Sequence, residues 1–190
     1  QQDKDASKKS AITKLYNAIS GRASEDKLRL ETYVVQNYLE KILDYANLHF
    51  INQLSNNRYR FELAGEGNNR RMDHGLDINI YDNETGAARS ADTLSGGETF
   101  IAALSIALAL SEVVQNTANG VQIEALFIDE GFGSLDQETL QKAMQALEQI
   151  GENRLVGVIS HVEEMKATIG QQIIINKMGD GRSNIKSVIK

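Results

Sequence analysis

The sequence predicts an α/β fold: a parallel strand pair with flanking helices, a pair of antiparallel strands, and a helical beginning. Three observations carry that prediction. Residues 123–128 and 155–159 are short, almost continuous apolar runs. Between them Leu140, Ala143, Met144, Leu147 and Ile150 recur at helical spacing, which reads as strand, helix, strand with central parallel strands. The apolar period changes from about 3.6 to about 2 at Arg58-Tyr59-Arg60-Phe61-Glu62-Leu63 and again at Leu76-Asp77-Ile78-Asn79-Ile80-Tyr81. Proline is missing from all 190 positions, so long uninterrupted helices are permitted.

Taken in order, residues 1–10 are almost entirely polar, with lysines and aspartates mixed. Ile12, Leu15, Tyr16 and Ile19 then form a helical stripe that stops at Gly21. Ser24 reads as an N-cap with Lys27 where a capping box has Glu, and Leu28, Val35, Leu39, Ile42, Ala46, Phe50 and Leu54 follow at sevens, fours and threes. One helix over 24–54 is expected. The strands at 58–63 and 76–81 each have one wet face, 82–86 is a turn, and a polar loop leads on to Leu94. From 99 to 114 apolar residues crowd every side (Phe100, Ile101, Leu104, Ile106, Leu108, Leu110, Val113), which predicts a buried helix. After the strand–helix–strand unit, a short helix over 162–169 ends at Gly170. Residues 171–176 and 183–189 then pair as a hairpin across Gly179-Asp180-Gly181.

With 41% hydrophobic and 24% charged residues, the chain has the composition of one globular core with an appendage. It has no cysteine, which excludes a disulfide framework, a zinc–thiolate knuckle and a thiol nucleophile from these residues. A net charge of −6 argues against a whole-surface footprint for nucleic acid. Arg58, Arg60, Arg70 and Arg71 form the one basic cluster, and a solvated hairpin face explains them more simply than DNA does. The chain starts with Gln, has no apolar leader and no run of about 18 apolar residues, so neither secretion nor a membrane is expected and a cytoplasmic location is.

Chemistry concentrates at four places. Asp129 and Glu130 end an apolar strand, at the edge of an open α/β sheet where ligands bind. An Asp there suits Mg²⁺ held through water, and a neighbouring Glu suits deprotonation of a water that attacks a γ-phosphate. Two acids at a strand end are by themselves more often a solvated turn. His161 follows Ser160 at the end of the next strand, and two adjacent strand ends both delivering polar chemistry weaken that bland reading. Ser95-Gly96-Gly97 opens the buried helix, where unpaired N–H groups and the helix dipole make an anion site, although a simple N-cap explains the same residues. Asp136 is placed to cap a helix starting at Gln137. No glycine meets the phosphate-loop pattern G-x-x-x-x-G-K-[ST], so these residues read as half of a nucleotide site whose other half lies on another part of a longer polypeptide, or on another one.

In this order and on these elements, Leu94-Ser95-Gly96-Gly97-Glu98, Ala125-Leu126-Phe127-Ile128-Asp129-Glu130, Ser134-Leu135-Asp136 and Ile159-Ser160-His161 resemble the signature, Walker B, D-loop and H-loop of the ABC ATPase superfamily. Asp129-Glu130-Gly131-Phe132-Gly133-Ser134-Leu135-Asp136 and Gly157-Val158-Ile159-Ser160-His161-Val162, with the Ile19-Ser20-Gly21 element, look like the SbcC family of nuclease-complex ATPases. The resemblance implies the C-terminal lobe of an ATPase head at 23–190 behind the end of a coiled coil at 1–22, the N-terminal lobe with its Walker A loop lying across that coiled coil. It implies that Asp129 supports Mg²⁺, Glu130 and His161 are catalytic, and Ser95, Gly96, Gly97 and Glu98 touch ATP held by a second head, with Ser134 and Asp136 at the head-to-head interface. It also implies ATP and Mg²⁺ as cofactors, ATP hydrolysis only in the completed dimer, and as partners the N-terminal lobe, a second head, an SbcD-type nuclease and DNA. An SMC-type chromosome-organising head shares the split lobes. An ABC transporter component would keep its phosphate loop on the same compact domain, and an interaction module with a dead site fits poorly with Glu130 and His161 together.

Overall fold

The computed structural model of the chain describes residues 12–13, 16–17, 19, 30–63, 76–117, 122–179 and 181–189. The described residues of the 12–19 stripe are helical, with Ile12, Tyr16 and Ile19 exposed, while Leu15 and Gly21 lie outside the described set. Helix α1 (Leu30–Ala46) runs on through a π-helical turn, Asn47–Ile51, into a last turn, Asn52–Leu54. The helix expected over 24–54 is therefore present from Leu30 onward, and its first six positions lie outside the described residues. Its apolar stripe divides in two. Ile42, Leu43, Ala46, Phe50, Ile51 and Leu54 are buried, whereas Tyr33, Val34, Val35 and Tyr38 are exposed.

The π-helical turn was not legible as such, and its use is local. It widens the helix by one residue and turns Asn47 toward the free edge of the next strand, β1 (Tyr59–Leu63). There Asn47 Nδ2 donates to the Phe61 carbonyl at 3.0 Å, and Asn47 Oδ1 accepts from the Phe61 N–H at 2.8 Å. One side-chain amide thus satisfies an edge that would otherwise expose a donor and an acceptor.

Strand β1 pairs antiparallel with β2 (Ile78–Asp82), which pairs antiparallel with β3 (Ala87–Ser90). The third strand corrects the polar loop expected here. Ala87-Ala88-Arg89-Ser90 has no apolar alternation to announce a strand; it pairs because the turn after Asp82, closed by Gly86 N–H donating to the Asp82 carbonyl at 2.8 Å with Gly86 at φ +68°, folds it back onto β2.

Helix α2 (Gly96–Thr117) is longer than expected at both ends. It is long and apolar enough to cross a membrane, but here it is the axis of the core. Its Ile101, Leu104, Leu108, Ala109 and Val113 pack among α1, β1, β2 and the elements that follow. Those are β4 (Ala125–Asp129), α3 (Gln137–Gly151), β5 (Leu155–Ile159), α4 (Glu163–Thr168) and the hairpin β6 (Gln171–Lys177) and β7 (Ser183–Ile189). The parallel pairing of β4 with β5 is as expected, in register from Ala125 with Leu155 to Asp129 with Ile159. Their continuous apolar runs read as strands covered on both faces, and that expectation fails within this chain. Leu126, Ile128, Val156 and Val158 pack on the core, while Phe127 (69%), Leu155 (63%) and Ile159 (56%) stand exposed on the outer face. The hairpin is likewise bare on one side, where Ile173, Ile175, Ile185 and Ile189 are 66–79% exposed.

Candidate functional site

The first turn of α2 is held by a reciprocal capping box. Ser95 N–H donates to Glu98 Oε2 at 2.8 Å, and Glu98 N–H donates to Ser95 Oγ at 3.4 Å. Nothing lies within 4 Å of where a side chain on Gly96 would begin, whereas a Cβ on Gly97 would stand 2.8 Å from the Ser134 carbonyl oxygen. One glycine leaves the turn open to solvent and the other lets it sit against the Ser134 loop. The N–H groups of this first turn have no intrahelical acceptor, so they are available to an anion.

Glu98 is committed to the interior of the lobe. Its Oε1 accepts from the Tyr59 hydroxyl, and the Arg58 and Arg89 guanidinium groups stand 3.8 Å from its two oxygens. Burial pushes its pKa up, but the hydrogen bonds from Tyr59 and Ser95 outweigh this and hold it below the ordinary glutamate range. Burial, followed by the bond to Glu98, pushes the Tyr59 hydroxyl up to about 12. Beneath them the buried Asp82 carboxylate receives Arg58 at 3.1 Å with Arg89 at 3.9 Å, and the Arg58 bond holds its pKa low. Tyr59, Arg89 and Asp82 were not singled out from sequence; a polar residue on the core side of a strand was the available signal. The same network decides the fate of the basic cluster. Arg58 is engaged by Asp82, Glu84 and Glu98, and Arg60 by Glu62 and the Tyr81 ring. Arg70 and Arg71 lie outside the described residues.

At the strand ends, Asp129 closes β4 and is exposed. Glu130 follows in the left-handed region, φ +61°, and Gly131 continues at φ +98°. A non-glycine residue held at positive φ is strained, and the Glu130 N–H is secured by the Ile159 carbonyl at 2.9 Å. The strained turn puts the Glu130 carboxylate against the next strand end, where Glu130 Oε2 lies 2.9 Å from His161 Nδ1. When Nδ1 carries the proton it donates to the carboxylate. Both side chains are largely exposed, so the pair is open to substrate. Sequence placed both residues at neighbouring strand ends; the direct contact is the structure's addition.

A 3₁₀ turn, Phe132–Ser134, links this pair to Asp136, which caps α3 as expected, Oδ1 accepting from Thr139 N–H at 2.9 Å. Ser95, Gly97, Glu98, Tyr59, Ser134 and Asp136 line one cleft of about 580 Å³. Asp129, Glu130 and His161 do not line it. The expected site residues therefore fall into two groups, a cleft at the α2 N-terminus and a strand-end cluster, joined by the 3₁₀ turn. Among the described residues no three His, Cys, Asp or Glu side chains converge as a protein-built metal cage would. The single exposed carboxylate of Asp129 fits Mg²⁺, which takes one or two carboxylates and leaves its other positions to phosphate and water.

Residues 57–149 match the family described as SbcC/RAD50-like, Walker B motif. The chain belongs to the SbcC/RAD50-like family. It is 42% identical over 171 residues to the SbcC component of nuclease SbcCD from Staphylococcus haemolyticus, covering 88% of this chain and 16% of the relative. It is 39% identical over 159 residues to the same component of nuclease SbcCD from Treponema pallidum, covering 83% of this chain and 15% of the relative. The chain thus spans about a sixth of the length of the curated relatives it matches. Among solved structures, the Smc head domain with an extended coiled coil from Pyrococcus furiosus, bound to the C-terminal domain of ScpA, superposes with a TM-score of 0.67 at 21% identity over 98% of this chain and 42% of that one. That likeness establishes the fold of an ATPase head lobe.

Proposed function

We propose that this chain is the C-terminal lobe of an SbcC-type ATPase head, which hydrolyses ATP only when joined to its N-terminal lobe and closed against a second head. The observation that carries the reading is the division of the site residues into two separate groups on one lobe. A single copy offers its strand ends to one nucleotide and its α2 turn to another, as a head that sandwiches two nucleotides in a dimer requires.

On this reading Asp129 holds Mg²⁺, whose charge neutralises the phosphates. Glu130 takes a proton from the water that attacks the γ-phosphorus as the bond to the β–γ bridging oxygen breaks, and His161 orients Glu130 and meets the γ-phosphate. Ser95, Gly96 and Gly97 present their N–H groups and hydroxyl to the γ-phosphate of ATP on the second head, with Ser134 and Asp136 at the seam. Glu98 acts indirectly, by fixing Ser95. ATP then closes the heads and hydrolysis releases them, because the γ-phosphate is the contact both heads share.

The bare outer face of β4 and β5 and the bare side of the hairpin support an N-terminal lobe as the covering partner, since exposed apolar faces of this extent are uncommon on a finished monomer. The exposed first half of α1 supports a coiled coil leading away from the head. A nuclease of the SbcD type and DNA as the final substrate follow from the relatives' names, as does a cytoplasmic setting. An SMC-type head is the second reading, favoured by the structural likeness and disfavoured by the higher identity to SbcC proteins.

The test is an ATPase assay on this chain alone and on the chain co-purified with the N-terminal lobe. Turnover is expected only from the second. Full turnover by the chain alone would overturn the split-site reading.

A further inference from the structure

The two groups of site residues are mechanically joined by one ring. Phe100 sits in the first turn of α2, three residues beyond Gly97 and so on the same helix face. A Cβ on Gly131 would collide with the Phe100 ring, so the ring occupies the space that the glycine vacates beside Glu130. The same ring meets Phe132 edge-on, with centroids 4.8 Å apart at 69°. Phe132 is 1% exposed and so cannot give way. The 3₁₀ turn is closed by Ser134, whose Oγ and N–H donate to the Gly131 carbonyl at 2.7 and 3.3 Å, while Gly97 rests on the Ser134 carbonyl. The α2 first turn therefore grips the Glu130–Ser134 segment at both ends, through Gly97 at Ser134 and through Phe100 at Gly131.

From these contacts we infer that Phe100 is a positioning residue that couples the α2 turn to the Glu130 carboxylate. Packing interfaces shift between discrete arrangements rather than deforming smoothly. A phosphate drawn onto Ser95 and Gly97 moves the first turn of α2, and the Phe100 ring carries that movement to the strained Glu130–Gly131 pair. Because the α2 turn serves one nucleotide and Glu130 another, the ring ties the water-activating carboxylate of each site to engagement at the other. The inference rests on the split-site reading above. It adds that the two sites of a dimer fire together because of this packing.

The test compares the complete two-lobe head with its Phe100→Leu variant, measuring ATP-dependent head association, kcat, KM, the Hill coefficient for ATP and thermal melting. Leucine keeps the apolar contact with the core but loses the ring that fills the Gly131 space. ATP-dependent association is expected at an unchanged ATP concentration, because Ser95 and Gly97 are untouched. kcat is expected to fall on the order of tenfold or more, because a carboxylate displaced by a fraction of an ångström loses its water. The Hill coefficient is expected to fall toward one. A purely structural role would lower the melting temperature and the yield of active protein, but leave the KM and Hill coefficient of the folded fraction at wild-type values; that result overturns the coupling. Should Phe100→Leu not fold, Phe100→Met keeps the volume, lacks the flat ring and takes the same measurements. If the wild-type two-lobe head neither associates with ATP nor hydrolyses it, the split-site reading has failed. If it does both and Phe100→Leu matches it in kcat and Hill coefficient, only the coupling has failed.

Discussion

The antiparallel sheet and the parallel sheet of this lobe are finished to different degrees. On β1 to β3 the inner side chains are sealed: Tyr59, Phe61 and Ile80 are 1–3% exposed, Asp82 is equally buried, and every charge around Asp82 has a counter-charge within 4 Å. On β4 and β5 the outer side carries Phe127, Leu155 and Ile159 in the open, and the strand-end pair of Glu130 and His161 is exposed as well. The end of the lobe that presents the α2 turn is self-sufficient. The end that presents the general base is half of a structure. A region built to be offered to another molecule needs to be rigid before it arrives, whereas a region completed by its own other lobe does not.

The sharpest break in this comparison is chemical. In the complete head, Glu130→Gln is expected to lower kcat by about 10²–10⁴-fold while ATP binding and head association persist, so that the closed dimer accumulates. Association with unchanged hydrolysis would remove Glu130 as the base. The next largest effect separates the two sheets by stability. Phe61→Ala should destabilise the isolated lobe by about 3–5 kcal/mol, the cost of emptying a sealed aromatic site. Phe127→Ala should shift it by no more than about 0.5 kcal/mol, because its ring is already in water. Equal losses in chemical denaturation would mean that the outer face of β4 is covered in the free chain. A milder effect is expected from Ile175→Lys with Ile185→Lys. The lobe should melt as before, while its affinity for the N-terminal lobe falls measurably in a titration.

The smallest effect is a pH dependence. The Tyr59 hydroxyl keeps its proton in the fold up to about 12, against an ordinary 10.0 once unfolded. The folded state then binds the proton more tightly, so this contribution is fully present below pH 10 and is lost as pH rises toward 12. Tyr59→Phe should flatten the decline in melting temperature over that window, and an unaltered slope would show that the hydroxyl's bond to Glu98 contributes nothing.

What the sequence made legible follows the same division. The 123–128 and 155–159 runs, the α3 stripe and the hairpin are local patterns, and their elements formed where expected to within a few residues. The failures are tertiary. Ala87-Ala88-Arg89-Ser90 becomes a strand only because a turn delivers it to β2, and the bare face of Phe127 cannot be told from a covered one by an apolar run. Of the site, Ser95, Glu130, His161 and Asp136 were readable because helix starts and strand ends are positions that sequence marks. Tyr59, Arg89 and Phe100 were not, because what makes them matter is a partner 30 to 39 residues away for the first two and a glycine 31 residues away for the third.

The central claim is that the Ser95 turn serves a nucleotide bound elsewhere. It is tested most directly by the ATP affinity of the two-lobe head, kept dilute enough to remain monomeric, with and without Ser95→Arg. The account predicts the same dissociation constant for both proteins and, at higher concentration, ATP-driven association of the wild type alone. A loss of ATP affinity in the monomeric Ser95→Arg head would place this turn in the head's own site and contradict the account.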